Sequence, residues 1–490
     1  MSAENKKLSK KTFIGIIWNL LSSFLNQIVL FGLSIILARL LSPAEFGVVA
    51  MVTLITGFAN ILQDMGFNIA IIQMKEISEI HKQSVFWFNV FMGSLLTLII
   101  YLCTPFVTAF YNVSMINLIM PFLAFNYLIG SLGLVQQSLL RRDLKFKKLS
   151  IIDILSQLIS GIVAVILAYY GYGVWALVIQ QLLMQTIKTI LLFSFNKWLP
   201  KFNFDINALK EMLSYSAYNF GNRSLSYWIR KVDSLIIGKF LGATNLGIYN
   251  KAYRFLQMPT SKIKNQISFV VMSSFSKIQE DTNKIKKVSM LLTSISSLCL
   301  IPFILAFTIC ADEFVIGFLG EKWAEMIPIL RLFSIAIIPI TVLYPSPIYL
   351  SLGHTKLQFK VALFTRIGVI LLIILGIPYG IIGVAIGVTI GFTIDSFIAQ
   401  HFANKLVKLN MIQLIKPIFP ILIISILSAL FSYLIFAKIF IVGNLLILFL
   451  LKFSLASIVS ILIIYFLKPK AYRDFSEIIS RFRPSLSKYL

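Results

Sequence analysis

Runs of about 20 apolar residues recur along the chain from Phe13 to Tyr465, separated by short polar or charged segments. A helix of about 20 residues crosses the hydrocarbon core of a bilayer, so each run predicts one transmembrane helix. Spans 2, 7, 8 and 10 of the series are interrupted by glycine, proline or charge. The fourteen predicted spans cover approximately residues 13–38, 46–72, 84–110, 115–139, 149–169, 174–195, 212–238, 246–274, 289–310, 326–350, 359–376, 381–404, 418–437 and 441–467.

The basic residues predict the orientation of these spans. With a cytoplasmic N-terminus, the predicted inner loops and termini hold 29 lysines and arginines, and the outer loops hold only Arg39, Lys239, Lys322 and Lys438. Cytoplasmic loops of membrane proteins carry this excess of positive charge. Because the bias alternates at every crossing, both termini are predicted to be cytoplasmic, with a multi-pass helical chain between them.

Composition supports an integral membrane protein and excludes several function classes. Of 490 residues, 58% are hydrophobic and 13% charged, far from the balance of soluble proteins. The net charge of +25 lies mostly in inner loops beside an anionic leaflet, so nucleic-acid binding is not expected. No loop is long enough for a catalytic domain, and neither an enzyme nor a cofactor is predicted. The three histidines lack metal-ligand spacing: His81, His354 and His401.

Two phrases 200 positions apart indicate an internal repeat. "SIILARLLSPAEFG", from Ser34 to Gly47, is echoed by "SLIIGKFLGATNLG", from Ser234 to Gly247. "YGVWALV", from Tyr172, is echoed by "YGIIGVA", from Tyr379. Six spans per copy is an even number, so both copies insert the same way up, as parallel repeats that enclose a central site.

The predicted fold class is therefore an all-α polytopic membrane protein with fourteen transmembrane helices. They form two parallel six-helix bundles followed by a C-terminal helix pair. The predicted segments are an N-terminal half at 1–200, a C-terminal half at 201–410, an accessory helix pair at 411–467 and an amphipathic cytoplasmic tail at 468–490.

Polar stripes on the repeated spans predict the binding site. In span 7 the polar residues follow steps of four and three, which places them on one helical face. Span 8 repeats the pattern, and its stripe includes Lys264. Charges in the bilayer centre are costly, so a cationic stripe is expected to face water or a ligand, unless individual residues pair or snorkel. The candidate residues are Asn219, Arg223, Arg230 and Asp233 in span 7; Lys251, Arg254 and Gln257 in span 8; Asn19, Asn26 and Asn60 in spans 1 and 2; and Arg331 and Arg366 in spans 10 and 11.

The chain resembles the polysaccharide transporter family. These proteins are the flippases of lipid-linked oligosaccharides within the multidrug, oligosaccharidyl-lipid and polysaccharide exporter superfamily. The phrases "ARLLSPAEFG", "LQDMGF", "RRDLKFKKLS" and "YGVWAL" carry the resemblance. It implies a protein of the bacterial inner membrane that moves an undecaprenyl-pyrophosphate oligosaccharide outward for O-antigen, capsule or exopolysaccharide assembly. The partners it implies are the lipid-linked oligosaccharide, membrane lipids and a polysaccharide polymerase.

Spans 13 and 14 are interpreted as almost purely apolar, with no polar stripe. The resemblance implies that they flank a groove for the prenyl tail, while peripheral packing is equally consistent with their composition.

Rival functions stay open. A cation-coupled multidrug antiporter needs intramembrane carboxylates, and the candidates are Asp64, Asp153, Asp233 and Asp395. A peptidoglycan-precursor flippase would share the cationic site. A glycosyltransferase or polymerase would need a large external acidic loop, which the sequence lacks. The chain has no P-loop pattern, so a gradient is expected to drive transport, with Asp64 or Asp395 as the coupling-ion site.

The topology predicts which positions an impermeant thiol reagent reaches from outside intact cells. In a cysteine-free background, single cysteines at Asn112, Gly171, Glu321 and Val442 should react, and those at Lys145, Lys284 and Lys408 should not. Labelling of the second group in sealed cells would contradict the fourteen-span topology.

Overall fold

The computed structural model describes residues 25–64, 67–74, 76–213, 227–228, 231–277, 281–438, 444–474 and 476. Every regular element among these residues is a helix. Contacts within the chain define two compact units, Met1–Gly247 and Ile248–Leu490.

The described residues of the first unit form the helices α1 to α8 and the beginning of α9. They are α1 (Leu25–Leu40), α2 (Pro43–Asp64), α3 (Phe67–Gln73), α4 (Glu79–Tyr111), α5 (Met115–Arg142), α6 (Phe146–Tyr169), α7 (Val174–Phe195), α8 (Ile206–Leu213) and α9 (Val232–Lys277). Helix α9 is broken at Gly242, whose φ of 82° and ψ of −179° are not helical.

Helix α5 is the centre of the first unit and packs against α2, α3, α4, α6 and α7. Small residues allow this contact. A Cβ added to Gly93 of α4 would lie 2.8 Å from the side chain of Ser131, and one on Gly133 of α5 would lie 3.0 Å from Leu192 of α7. Interfaces of small residues are typical of helices in lipid. The hydrophobic effect does not drive helix association there, so close van der Waals packing of the backbones stabilises the contact instead.

The two repeated phrases meet where α2 and α9 cross, within the first unit. A Cβ on Gly47 would lie 3.0 Å from the Cα of Ala243, and one on Gly247 would lie 2.9 Å from the carbonyl carbon of Pro43. The glycine that ends each phrase therefore allows close backbone contact with the other phrase.

The second unit contains the rest of α9 and the remaining helices. They are α10 (Thr282–Ile309), α11 (Ala311–Phe314), α12 (Met326–Val342), α13 (Pro345–Ser351), α14 (Thr355–Gly376), α15 (Gly380–Leu406), α16 (Met411–Ile415), α17 (Ile418–Lys438) and α18 (Leu445–Leu467). The break between α12 and α13 lies at extended Leu343, just before the prolines at 345 and 347.

Glycines determine the packing of α15 on α14. A Cβ on Gly383 would meet the carbonyl of Gly376, and one on Gly387 would lie 2.8 Å from the carbonyl carbon of Leu372. Gly391, a further turn along, would bring a Cβ to 3.1 Å from the Cα of Val369. Spacing of four residues keeps the three glycines on one face, so the two backbones touch along several turns.

A buried ion pair connects the C-terminal hairpin α17–α18 to the rest of the second unit. Lys452 of α18 donates to Glu313 of α11, and their side chains are only 8% and 7% exposed. The Lys452 ammonium also lies 5.3 Å from the ring centroid of Tyr433 in α17. Ser432 donates to the Lys452 carbonyl oxygen at 2.8 Å. Span 14, predicted to be almost purely apolar, therefore contains one buried lysine that pairs with a buried acid.

Ten helical stretches of the described residues are long and apolar enough to cross a membrane, and one of them, Thr355–Leu406, contains both α14 and α15. The chain is therefore an all-helical, multi-pass membrane protein. The number of fourteen spans, the paired six-helix bundles and the segment boundaries at 200, 410 and 467 stay predictions.

Substitution of Gly387 by alanine tests the α14–α15 contact. The new Cβ meets backbone that cannot rotate away, so we expect a loss of about 1–3 kcal/mol in stability. The measurement is the thermal unfolding midpoint of the purified protein in detergent. Gly368→Ala in α14 is the matched control, since nothing lies within 4 Å of its added Cβ. Equal midpoints for the two variants would contradict the contact.

A double-mutant cycle tests the Glu313–Lys452 pair. Lys452→Met alone leaves a buried carboxylate and should cost about 3–5 kcal/mol of stability, as should Glu313→Gln alone. The double variant should recover much of that loss, because neither charge stays unpaired. Additive losses in the thermal unfolding of the three variants would show that the two residues do not interact.

Candidate functional site

The structure describes part of the predicted polar stripes. Asn19, Asn219, Arg223 and Arg230 lie outside the described residues, and so does the side chain of Asp64. The remaining candidates fall on α1, α2 and the start of α9 in the first unit, and on α9, α12, α14 and α15 in the second.

Lys251 lies in the second-unit part of α9, surrounded by aromatic side chains. It is 6% exposed, and its ammonium lies 5.7 Å from the ring centroid of Phe255 and 5.8 Å from that of Trp323. Trp323 is fully buried. The electron-rich ring faces attract the cation, which keeps Lys251 on the inner side of the helix.

Arg254 follows three residues later and is exposed. No carboxylate among the described residues forms an ion pair with it. One turn further, exposed Gln257 donates to the hydroxyl of Tyr253 at 3.0 Å. Tyr253 in turn packs against Phe333 of α12, with ring centroids 5.9 Å apart. This stretch of α9 therefore carries a guanidinium, an amide and a phenol close together, and the phenol ring packs against Phe333.

Two other predicted cations are paired with carboxylates. Arg331 of α12 binds Asp312 of α11, and both side chains are nearly half exposed. Arg366 of α14 lies 3.3 Å from Asp395 of α15. The sequence assigned Arg366 to the anion site and Asp395 to a coupling ion, whereas the structure joins them in one ion pair.

Asp395 has a second partner in α14. It accepts a hydrogen bond from the Thr365 hydroxyl at 2.5 Å, while the Arg366 guanidinium lies 4.9 Å from the ring centroid of Phe392. The carboxylate is therefore held between a hydroxyl donor and a guanidinium.

Lys264, also on the predicted cationic stripe, has a local structural contact. Its ammonium donates to the carbonyl oxygens of Ile340 and, at 3.2 Å, of Leu343. These carbonyls lie where α12 ends, and a cation there satisfies acceptors that the broken helix leaves without an intrahelical partner.

In the first unit, Asn60 and Asn26 lie on different helices. Asn26 is half-buried in α1, and Asn60 is exposed on α2. Asp233, at the start of α9, accepts the backbone N–H of Ser234 at 2.7 Å. Of these three, only Asn60 lines a cavity among the described residues of the unit.

That cavity, of about 320 Å³, lies between α2, α5 and α7. Its polar lining is rich in side-chain amides: Asn60, Gln63, Asn126, Gln137, Gln181 and Gln185, together with Lys188. The Gln63 amide donates to the carbonyl of Tyr127 at 2.6 Å, and Asn60 donates to the Tyr127 hydroxyl at 3.4 Å. The buried Oδ1 of Asn126 accepts no hydrogen bond from the described residues.

Lys188 is the cation of this amide cavity, and it pairs with Asp153 of α6 at 2.9 Å. The cavity therefore presents many neutral donors and acceptors and one neutralised charge. Such a lining suits a ligand rich in hydroxyl groups better than a strongly charged one.

The amides of α5 and α7 were missed by the sequence analysis. Their signal was present: Gln181, Gln185 and Lys188 follow steps of four and three, and Asn126 and Gln137 share a face with Gly130 and Gly133. Charged residues give a stronger polar signal in an apolar helix than glutamines do, so the stripes were predicted on the spans that carry charges.

Comparison with protein families identifies the chain. Residues 36–328, more than half of it, match the family described as polysaccharide biosynthesis protein. Teichuronic acid biosynthesis protein TuaB of Bacillus subtilis (strain 168) is 30% identical over 72% of this chain and 74% of its own length. Lipopolysaccharide biosynthesis protein WzxC of Escherichia coli (strain K12) is 25% identical over 67% of each chain.

Solved structures show which fold this family has. The lipid II flippase MurJ, in an inward closed conformation, superposes with a TM-score of 0.67 at 16% identity, over 92% of this chain and 99% of MurJ. An inward-facing multidrug resistance MATE family transporter of the MOP superfamily gives 0.58 at 13% identity, over 80% and 98%. The chain thus belongs to the polysaccharide biosynthesis protein family, and it has the fold seen in MurJ and in the MATE transporter of the MOP superfamily.

Proposed function

We propose that this protein is a flippase that moves an undecaprenyl-pyrophosphate-linked oligosaccharide from the inner to the outer leaflet of the bacterial cytoplasmic membrane. O-antigen, capsule or exopolysaccharide assembly would use the product. The observation that carries the proposal is Arg254: an exposed guanidinium in a predicted transmembrane segment of a polysaccharide biosynthesis protein, with no carboxylate partner among the described residues.

The chemistry of the headgroup explains why such an arginine is needed. A pyrophosphate carries two or more negative charges and loses its water on entering a membrane protein, which is costly unless charged donors replace that water. A guanidinium offers parallel N–H groups that match two phosphate oxygens and forms charge-assisted hydrogen bonds to them. Lys251 and Gln257 lie within one turn on either side and add further donors.

The amide cavity of the first unit suits the sugars. Asn126 has a buried acceptor that the described residues leave unused, and Gln181 and Gln185 offer both donors and acceptors. Sugar hydroxyls donate and accept in the same way, so amides bind them without a net charge. We assign the oligosaccharide to this cavity.

The carboxylates disfavour a cation-coupled multidrug antiporter. Such a transporter needs an acidic group that is available to a proton, a sodium ion or a cationic drug. Asp395 is engaged by Arg366 and Thr365, and Asp153 by Lys188. Asp395 is therefore a weaker coupling-ion candidate than its sequence position suggests, and Asp64 stays the alternative.

A peptidoglycan-precursor flippase is the second candidate. The TM-score of 0.67 to MurJ favours it at the level of fold, and the cationic segment would serve its headgroup equally well. The family match favours polysaccharide assembly instead. Both candidates transport an anionic polyprenyl-linked sugar by alternating access, and they differ in the glycan.

Removal of the Arg254 charge tests the proposal. Arg254→Gln should reduce the flipping of a fluorescent undecaprenyl-pyrophosphate oligosaccharide in proteoliposomes by at least about tenfold, because a charge-assisted bond contributes about 1.5–3 kcal/mol. Arg254→Lys should retain part of the activity, since it keeps the charge and loses the planar fork.

Arg141→Gln is the matched control. It removes an exposed arginine at the end of α5 that lines neither the α9 segment nor the amide cavity, and it should flip the substrate at the normal rate. Normal flipping by Arg254→Gln in protein that inserts and accumulates normally would exclude the assigned role. Faster flipping of lipid II than of the polysaccharide precursor would favour the second candidate.

A further inference from the structure

One end of the second unit holds a large open cavity that the proposed transport does not use. Its volume is about 970 Å³. Four segments form it: the start of α10, the short helix α16 with the turn after it, the start of α17, and residues 470–473 beyond α18. By the charge distribution, this end is the predicted cytoplasmic side.

Four cations from these segments converge on the cavity: Lys286, Lys416, Lys470 and Arg473. Among the described residues, none of the four forms an ion pair. The acid nearest in sequence on α10, Asp281, binds Lys284 at 3.1 Å instead. None of the described residues that line the cavity is acidic. All four side chains are positive, so an anion bound in the cavity would be attracted to each of them.

The walls between the cations are apolar and largely exposed. Ile412 is 72% exposed and Phe419 is 59% exposed, and Met290, Ile415 and Pro420 continue the same surface. Buried neighbours hold the segments in place, since Leu414 and Ala471 are both fully buried in the adjacent core. The cavity is therefore a fixed arrangement, with positive groups at its edge and hydrocarbon surface inside.

A ligand for this arrangement carries a negative headgroup and an apolar chain. We propose that the cavity binds an anionic phospholipid of the surrounding leaflet, with its phosphate among the four cations and its acyl chains along Phe419 and Ile412. Clusters of basic residues at the cytoplasmic ends of membrane helices recognise such headgroups. This site is independent of the proposed transport function.

The lining distinguishes a phospholipid from the glycan-carrying lipid. Among the described lining residues, Gln413 is the one uncharged side chain with polar hydrogen-bonding groups, so there is little to bind a sugar. A phospholipid does not need polar groups that bind sugar hydroxyls. Bound there, it would join α10, α16, α17 and the segment after α18 through one phosphate, and so hold the base of the C-terminal hairpin.

Titration with phosphatidylglycerol tests the site. The full-length protein in neutral detergent is titrated with phosphatidylglycerol, and bound lipid is counted by native mass spectrometry. Each cation near an anionic headgroup contributes about a fivefold gain in affinity, so Lys416→Gln/Lys470→Gln/Arg473→Gln should weaken binding on the order of a hundredfold. Phosphatidylcholine should bind both proteins weakly and equally.

The matched control is Lys197→Gln/Lys201→Gln/Lys210→Gln. It removes the same charge from exposed lysines of the first unit, also on the predicted cytoplasmic side, and should bind phosphatidylglycerol normally. The unfolding midpoint of each variant in phosphatidylcholine shows whether it is folded. Should the triple variant be unfolded, Lys416→Gln and Arg473→Gln are measured singly, and each should lose about fivefold.

Two results would overturn the proposal. Equal loss in the triple variant and its control would mean that phosphatidylglycerol responds to net charge alone. Displacement of phosphatidylglycerol by a tenfold lower concentration of undecaprenyl phosphate would assign the cavity to the carrier lipid instead.

Discussion

A charge or backbone carbonyl that cannot reach water must find its partner inside the protein, and this constraint shapes the second unit throughout. Lys452 reaches Glu313, Arg366 reaches Asp395, and Lys264 reaches the carbonyls at the end of α12. Each pairing joins two different helices. Hydrophobic burial contributes little between helices surrounded by lipid, so these polar contacts and close packing determine which helices are neighbours.

The same constraint separates structural charges from candidate functional ones. Carboxylates engage two predicted cations of the second unit, Arg331 and Arg366, and backbone carbonyls accept from Lys264. Arg254 differs, since it is exposed and no described carboxylate neutralises it. The cavity of the first unit is lined mainly by neutral amides, and its one lysine, Lys188, is paired with Asp153.

Hydropathy predicted the positions of the described helices well because a membrane span is a one-dimensional signal. The predicted spans 84–110, 149–169 and 441–467 overlap most of α4, α6 and α18. Partners are a three-dimensional property, so the sequence placed Arg366 and Asp395 in different roles and read Lys264 as part of a binding stripe. The importance of Lys452 was missed because its apolar neighbours dominate the mean hydropathy of the span. Asn126, Gln181 and Gln185 were missed because uncharged amides scarcely lower the mean hydropathy of theirs.

The Glu313–Lys452 pair has a consequence for how the chain is made. Glu313 precedes Lys452 by 139 residues. The helix that carries Glu313 is therefore synthesised before the lysine that pairs with it. Lys452 in turn enters within one of the most apolar segments, which compensates the cost of inserting a lysine. Assembly of the second unit is complete only when the last hairpin arrives, and a chain truncated before α18 would expose an unpaired carboxylate to the membrane's quality-control proteases.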